Sequence, residues 1–175
     1  MNQEVKMKPS YLKIAFLDRD GTLIKDYPDE KWREIKEPEF LEGSIEGLKR
    51  LKEMGYDFII ITNQYLINDG IISLNDYQQF TGKFLKKIKE ENIDILKIYF
   101  CSHNEKDHCH CKKPKPGMIE QAKKDFLIDM NNSIYIGDSQ VDYLLAKHFN
   151  LTFYGINYHD DNVKSYHSIL DISKQ

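Results

Sequence analysis

Two carboxylates stand one residue apart in the segment Asp18-Arg19-Asp20-Gly21-Thr22, directly after the apolar run Ile14-Ala15-Phe16-Leu17. Holding two negative side chains this close at the end of a strand is costly unless a cation, or the metal of an anionic substrate, neutralises them. One carboxylate could then attack an electrophile while the other transfers a proton. The segment therefore predicts a metal-dependent catalytic site, with Asp18 and Asp20 as its nucleophile and its acid/base.

A second group of reactive side chains lies in one short segment, where Cys101-x-His103 is followed after five residues by Cys109-x-Cys111. All three cysteines of the chain are here, and an odd, clustered set suits a metal ion better than a disulfide framework. Ligands two positions apart in an extended chain project to one side, so two such pairs can complete a tetrahedron. The segment predicts a zinc site; reduced surface thiols are the alternative.

The elements that must position these residues alternate between strand and helix. Apolar runs predict strands at Lys13–Leu17, Asp57–Thr62, Lys97–Phe100, Ser133–Ile136 and, as the last one, Leu151–Ile156. Helical spacing predicts helices from a Ser44 cap to Met54, from Leu74 to about Asn92 behind a Ser73/Asp76 capping box, from Gly117 to about Phe126 and from Ser139 to about Phe149. This alternation predicts an α/β fold, a Rossmann-like doubly wound parallel sheet.

The remaining stretches predict little structure of their own. Residues 1–10 are polar and read as a loose N-terminal arm, and the charged stretch from Ile24 to Phe40 reads as a surface loop near the acidic motif. That loop is too short for a core of its own. The chain is therefore expected to be one domain over residues 1–175, with no large cap domain.

Polar residues follow four of the predicted strands. They are Asp18 and Asp20, then Thr62 and Asn63, then Cys101 and His103, then Gly137 and Asp138. In a parallel sheet these strand ends share one edge, which is where such sheets bind ligands.

These residues carry a resemblance to a known family. The segments Asp18-Arg19-Asp20-Gly21-Thr22, Thr62-Asn63-Gln64, Lys113-Pro114 and Gly137-Asp138 with Asp142 resemble, in this order, the four motifs of the haloacid-dehalogenase-like (HAD-like) phosphatases. The match extends from Ile14 to about Asp142. The cysteine-histidine segment and the lack of a large cap insertion are similar to the histidinol-phosphatase and heptose-bisphosphate-phosphatase branch.

The resemblance implies a magnesium-dependent phosphomonoester hydrolase that works through an aspartyl-phosphate intermediate. Asp18 would attack phosphorus, and Asp20 would protonate the leaving oxygen and then deprotonate the hydrolytic water. The Asp18 carboxylate, the Asp20 backbone carbonyl and Asp138 would suffice to hold Mg²⁺. The phosphate oxygens would be held by Thr62, Asn63, Lys112 and Lys113.

Each motif also has a plainer interpretation. Asp-Gly is a common turn dipeptide, Thr62-Asn63 could cap a loop, and Asp138 could cap the helix that starts at Ser139. Asp142 could contact a metal-bound water or only hydrogen-bond the loop, and Lys115 is the alternative to Lys113. A non-catalytic, zinc-stabilised interaction module is the alternative for the whole chain; the loss of either Asp18 or Asp20 would favour it, and both are present.

The predicted zinc ligands are Cys101, His103, Cys109 and Cys111. Four protein ligands leave no open position, so the zinc is expected to be structural and to fix the loop that brings Lys112 and Lys113 to the phosphate. Whether His108 and His110 take part stays open.

Composition narrows the function classes further. With 25 Lys+Arg against 28 Asp+Glu, the net charge of −3 gives no global attraction to nucleic acid or to an anionic membrane. No run approaches a membrane span, and the first ten residues lack the apolar core of a signal peptide. A cytoplasmic monomer acting on a small phosphorylated metabolite is expected.

Two departures from the family pattern concern the substrate. Tyr65-Leu66 follows Thr62-Asn63-Gln64 where the family usually has Ser-Gly, and Lys112 stands where an Arg commonly precedes the motif lysine. A Lys in place of Arg offers a point charge and not a planar fork. Heptose bisphosphate is the first substrate expected, histidinol phosphate the second and a nucleic-acid 3′-phosphate the third.

Overall fold

The computed structural model describes residues 10–172 and 174, and these residues are built around one sheet of six parallel strands. The strands are β1 (Ile14–Leu17), β2 (Asp57–Asn63), β3 (Ile95–Cys101), β4 (Ile134–Gly137), β5 (Thr152–Ile156) and β6 (Lys164–Tyr166). Their order across the sheet is β3-β2-β1-β4-β5-β6, and neighbours are parallel throughout. The predicted parallel α/β sheet is confirmed. The expected N-terminal arm lies outside the described residues, except for Ser10.

Helices cover both faces of the sheet. They are α1 (Ser44–Glu53), α2 (Leu74–Glu90), α3 (Gly117–Asp125), α4 (Gln140–His148) and α5 (Ile169–Ile172). Successive side chains of a strand point to opposite faces, and in β1 the residues Ala15 and Leu17 pack with α1, α2 and α5 while Ile14 and Phe16 pack with α3 and α4. The central strand is thus buried on both sides, and its polar continuation emerges at the edge of the sheet.

The predicted N-terminal caps of two helices, α2 and α1, can be compared with the structure. Ser73 Oγ accepts a hydrogen bond from Asp76 N at 3.0 Å and Asp76 Oδ2 accepts one from Ser73 N at 3.0 Å, so the predicted capping box of α2 is confirmed. The predicted Ser44 cap of α1 is wrong. Gly43, with φ of 75°, is the N-cap, and Ser44 is already a buried helical residue.

Two elements escape prediction from sequence. Leu151–Ile156 is not the last strand, because β6 pairs with β5 beyond it and α5 follows. In β6, Lys164 and Ser165 are exposed and carry no apolar pattern. A strand of this kind forms because it pairs with its neighbour, and such pairing cannot be recognised from the spacing of apolar residues.

The segment from Ile24 to Phe40 packs against the core of the protein more closely than the predicted surface loop would. Ile24 is buried and pairs with Phe40 across an antiparallel bridge. Trp32 is buried, and its ring packs edge-on against Phe80 of α2 with centroids 5.5 Å apart. The charged side chains of the segment do lie at the surface, as expected. Within the described ranges, no helix combines the length and the apolar character that crossing a membrane requires.

Candidate active site

Three strand ends meet at one edge of the sheet and form a cleft of about 230 Å³. Asp18 directly follows β1, Thr62 and Asn63 end β2, and Asp138 directly follows β4. Because these strands are parallel neighbours, their carboxyl ends reach the same edge. All four residues line the cleft, together with Asp20 and Lys113. The set that the sequence distributes over about 120 positions is therefore brought together in space.

Lys113 occupies the centre of this set. Its ammonium Nζ lies 2.6 Å from Asp18 Oδ1 and 2.8 Å from Asp142 Oδ1, and it donates to the Ile61 carbonyl oxygen at 3.0 Å. An ammonium has three protons, so these partners use all of them. Lys115 instead points away, and its Nζ donates to the Cys109 carbonyl oxygen at 2.7 Å. Of the two candidate lysines, Lys113 is the one that reaches the cleft.

Asn63 fixes the backbone that carries Lys113. Its side-chain Oδ1 accepts a hydrogen bond from Lys113 N at 2.9 Å, and its Nδ2 donates to the Lys113 carbonyl oxygen at 3.3 Å. The end of β2 is thereby joined to the lysine loop by two bonds. Beside it, the Thr62 hydroxyl lies at the cleft wall and accepts a hydrogen bond from Gln64 at 2.9 Å.

Burial and mutual repulsion dominate the electrostatics of the carboxylates. Burial raises the pKa of Asp18 well above its usual range; Lys113 opposes the shift, and Asp142 and Asp138 reinforce it. Burial, followed by repulsion from Asp142, raises the pKa of Asp138 to about 7. Burial alone would lower the pKa of Lys113, but its two carboxylate partners raise it. A further cation would relieve the remaining repulsion between the aspartates.

The carboxylate group fits a hard cation. Asp18, Asp138 and Asp142 can each offer an oxygen within 4.8 Å of the others. Gly21, with φ of +88°, makes room for the Asp138 carboxylate, since a Cβ there would lie 2.0 Å from Asp138 Oδ2. Oxygen ligands in this arrangement are what Mg²⁺ prefers in proteins.

Asp142 is engaged differently from the other two carboxylates. It is fully buried, and it accepts hydrogen bonds from Tyr135 Oη at 2.9 Å and from the Ser139 hydroxyl, in addition to the Lys113 contact. Its oxygens therefore hold the lysine in place. The N-cap of α4 is Ser139 and not Asp138, which leaves the Asp138 carboxylate in the cleft.

Several contributors to the site were not assigned a role from the sequence. Thr22 Oγ1 donates to Asp18 Oδ2 at 3.0 Å, and the Asp20 carboxylate accepts hydrogen bonds from Arg19 and Gln64. Thr22, Arg19 and Gln64 belong to the motifs themselves, so proximity in sequence was an available signal. Tyr135 gave no such signal, because it reads as one more apolar residue of β4.

Lys112 lies beside the cleft and not among its described lining residues. Its Nζ is 2.7 Å from Glu105 Oε1 and 4.9 Å from the centroid of the Tyr65 ring. The Tyr65 hydroxyl in turn donates to Asp29 at 3.0 Å. In this structure the two residues that depart from the family pattern, Lys112 and Tyr65, thus contact each other at the rim.

The four predicted zinc ligands converge at the end of β3. His103 Nδ1 lies 3.4 Å from Cys101 Sγ and 3.2 Å from Cys111 Sγ, and Cys101 Sγ lies 3.6 Å from Cys109 Sγ. The Lys112 backbone N–H donates to Cys109 Sγ at 3.4 Å. Three sulfurs and one imidazole nitrogen, all within 4.8 Å of one another, are a donor set that fits zinc.

The neighbouring histidines are outside this cluster. His110 Nε2 lies 2.8 Å from Glu120 Oε2 on α3, and His108 takes a left-handed backbone conformation with φ of 45°. Burial alone would raise the pKa of Cys109, but the backbone N–H groups of Lys112 and Cys111 lower it to about 7. The turn that leads into Lys112 therefore stabilises the Cys109 thiolate, the form that binds metal, whereas burial raises the pKa values of Cys101 and Cys111.

The sequence is similar to those of known phosphatases. The family described as polynucleotide kinase 3 phosphatase matches residues 13–159. A D-glycero-alpha-D-manno-heptose-1,7-bisphosphate 7-phosphatase of Photorhabdus laumondii is 41% identical over 144 residues, which are 78% of this chain and 77% of the relative. A D-glycero-beta-D-manno-heptose-1,7-bisphosphate 7-phosphatase of Helicobacter pylori is 40% identical over 135 residues, covering 75% of this chain and 76% of the relative.

A solved structure shares the fold. It is the D,D-heptose 1,7-bisphosphate phosphatase from B. bronchiseptica, complexed with magnesium and phosphate. The TM-score is 0.82, and the alignment covers 94% of this chain and 97% of that chain at 20% sequence identity. At this identity the likeness concerns the fold.

Proposed function

We propose that this chain, which belongs to the polynucleotide kinase 3 phosphatase family of HAD-like phosphatases, hydrolyses phosphomonoesters through a phosphorylated Asp18. The observation that carries the proposal is the Asp18 carboxylate, buried in a cleft 2.6 Å from the Lys113 ammonium, with Asp20 lining the same cleft. A phosphoryl group entering this cleft would meet a nucleophile, a compensating cation and a proton carrier, which are the parts that phosphoryl transfer needs.

The residues divide the reaction between them. Asp18, oriented by the Thr22 hydroxyl, attacks phosphorus, and Lys113 offsets the negative charge that gathers there. Asp20 gives a proton to the leaving oxygen and then takes one from the water that hydrolyses the aspartyl-phosphate. The Thr62 hydroxyl and the Asn63 backbone, at the end of β2 in the cleft wall, would hold the phosphoryl oxygens.

Mg²⁺ is the cofactor proposed for the cleft. The Asp18 carboxylate, the Asp20 backbone carbonyl and Asp138 would hold it. When bound, it supplies positive charge that lowers the repulsion between Asp18 and a phosphate dianion. Gly21 supports this assignment, because the absence of a Cβ lets the Asp138 carboxylate lie directly against the acidic motif.

The proposed substrate is D-glycero-D-manno-heptose 1,7-bisphosphate, and histidinol phosphate is the second candidate. Relatives at about 40% identity that are named for the bisphosphate support the first. The family description favours a nucleic-acid 3′-phosphate as a third candidate. The cleft charges oppose that one: Asp26 and Asp29 line its outer part, and Lys113 is the one cation among its described lining residues. A polynucleotide backbone would there meet carboxylates of its own sign.

A substrate comparison tests this assignment. With Mg²⁺ present, we expect kcat/KM for the heptose bisphosphate to exceed that for histidinol phosphate and for a 3′-phosphorylated oligonucleotide by at least about tenfold. Phosphate release is measured for all three with and without a magnesium chelator. A preference for either alternative would overturn the substrate assignment. If phosphate were released from none of the three, and from no aryl phosphate either, the proposed phosphatase activity would be wrong.

The cysteine-histidine cluster is proposed to hold a structural zinc ion. Four protein ligands leave no position open for substrate or water. The cluster is joined to the active site by chain continuity, since Cys111 is two residues from Lys113, and by the bond from Lys112 N to Cys109 Sγ. Zinc would thereby fix the backbone that presents the lysine.

Removing one zinc ligand is expected to loosen that backbone and to lower activity. Cys109→Ser should retain far less than the one zinc ion per chain expected of the wild type, and its kcat/KM should fall by about tenfold or more. Metal content is measured by elemental mass spectrometry, and loosening by proteolytic cleavage between residues 101 and 117. The matched control His110→Gln should keep its zinc, because His110 faces Glu120. Full activity in metal-free Cys109→Ser would refute the proposal.

The remaining expectations are proposed together. A single domain over residues 1–175 that acts as a cytoplasmic monomer is proposed; the single six-stranded sheet of the described residues supports the one domain. Size-exclusion chromatography with light scattering would measure the oligomeric state.

A further inference from the structure

Arg19 lies between the two catalytic aspartates in sequence, yet its side chain is only 1% exposed. Its guanidinium forms a fork on the Asp20 carboxylate, with Nε 2.9 Å from Oδ1 and Nη2 2.9 Å from Oδ2. Two parallel bonds of this kind fix the plane of a carboxyl group as well as compensating its charge. Here the group that is fixed is the proposed proton carrier.

The far side of the guanidinium is attached to α2. Nη1 donates to Thr81 Oγ1 at 3.1 Å, and the central carbon lies 5.5 Å from the Tyr77 ring centroid and 5.3 Å from that of Phe80. These three residues share one face of a capped, 17-residue helix. The orientation of Asp20 is therefore set by a regular element and not by a loop.

Gln64 adds a third hydrogen bond to the same carboxylate. Its Nε2 lies 2.7 Å from Asp20 Oδ2 and 2.9 Å from Thr62 Oγ1. A carboxylate offers about four lone-pair positions, two on each oxygen. Oδ2 accepts from both Arg19 and Gln64, whereas Oδ1 accepts from Arg19 alone. The position left for a proton is on Oδ1.

We propose that Arg19 is the positioning residue for Asp20 and that, with Gln64, it confines the transferable proton to Asp20 Oδ1; this inference rests on the proposed function. In the first step the Oδ1–H bond breaks and the proton passes to the leaving oxygen. That oxygen keeps the electron pair of its bond to phosphorus as the bond from Asp18 to phosphorus forms. In the second step a water proton passes to Oδ1, the water oxygen bonds to phosphorus, and the bond to Asp18 breaks. One fixed oxygen serves both steps.

The Arg19→Met variant tests the proposal, because it keeps side-chain length and loses the fork. On the sugar phosphate, kcat is expected to fall about 10²-fold with KM changed by less than about threefold, within the range of acid-base contributions. On p-nitrophenyl phosphate the leaving group departs without a proton, so the first step continues while hydrolysis of the phosphorylated enzyme slows. Stopped-flow absorbance should then show a burst of one p-nitrophenolate per chain. A residue that only supports the fold would produce no burst.

A double variant separates action through Asp20 from a general effect. Arg19→Met/Asp20→Asn is expected to match Asp20→Asn alone within about threefold, because Arg19 has nothing left to position. Losses that multiply, or an Arg19→Met protein with kcat within about threefold of wild type, would overturn the inference. Arg19→Lys keeps the charge without the fork and should behave as Arg19→Met does. If Arg19→Met does not fold, Arg19→Lys decides, and activity like the wild type's would overturn the inference. An inactive wild type would count against the proposed function itself.

Discussion

The Asp18→Asn variant is expected to lose phosphatase activity by about 10⁴-fold or more in kcat/KM. Asparagine has the shape of aspartate, so its amide oxygen can still accept from Lys113 Nζ, which lies 2.6 Å from Asp18 Oδ1, while its NH₂ can donate to Thr22 Oγ1 in place of the 3.0 Å bond that Thr22 now donates. Its amide is neutral and cannot form the phosphorylated intermediate. The loss should therefore appear without a loss of fold. Thermal stability should be equal or higher, because Lys113 keeps its buried ion pair with Asp142 while the repulsion of Asp18 by Asp142 and Asp138 is removed.

The measurement uses an aryl phosphate with and without Mg²⁺, so that no assumption about the natural substrate enters. Asp94→Asn is the matched control, since Asp94 is an exposed aspartate that pairs with Lys89 near the start of β3, at the opposite edge of the sheet. Its kcat/KM should stay within about twofold of the wild type, as for most surface substitutions. Equal rates in wild type and Asp18→Asn would exclude Asp18 as the nucleophile and favour the non-catalytic interaction module.

The convergence of the strand ends could be predicted because it depends on backbone topology alone. The four residues of β1 are apolar and buried on both faces, so the strand had to be central, and parallel pairing then carries Asp18, Thr62 and Asp138 to one edge. The capping box of α2 was equally accessible, because Ser73 and Asp76 satisfy each other locally. In both cases the structure depends on residues close together in sequence or on a regular run of apolar residues, and both can be recognised in the sequence.

Side-chain partners across the fold could not be predicted in this way. Tyr135 donates to Asp142 from a position in which its ring packs among aromatic side chains such as Phe16 and Phe153. Arg19 turns away from the cleft toward α2, although its neighbours on either side line the cleft. The strand or motif that contains each residue can be predicted from the sequence, but the direction of each side chain depends on tertiary packing. The contacts that orient the catalytic side chains could therefore not be predicted from the sequence.

Replacing Lys113 is expected to affect stability and activity together. Lys113→Met removes the charge from a side chain of similar length and leaves Asp18 and Asp142 facing each other without their shared cation. Breaking a buried pair from one side costs about 3–5 kcal/mol in the free energy of unfolding. The loss of a charge that stabilises the transition state should lower kcat/KM by about 10²- to 10³-fold. Urea unfolding and kinetics of the same preparations measure the two effects.

The two effects of Lys113 can be separated by a second substitution. Lys113→Met/Asp142→Asn removes one of the unpaired charges while keeping the acceptor for Tyr135 Oη. We expect it to regain part of the lost stability and none of the lost activity, because the phosphoryl group still lacks its cation. Lys115→Met should stay within about threefold of wild type, since Lys115 is exposed and bonds to the Cys109 carbonyl oxygen. If the double variant recovered activity, the lysine would serve the fold and not the phosphate; if Lys115→Met fell as far as Lys113→Met, the assignment of the phosphate cation to Lys113 alone would be wrong.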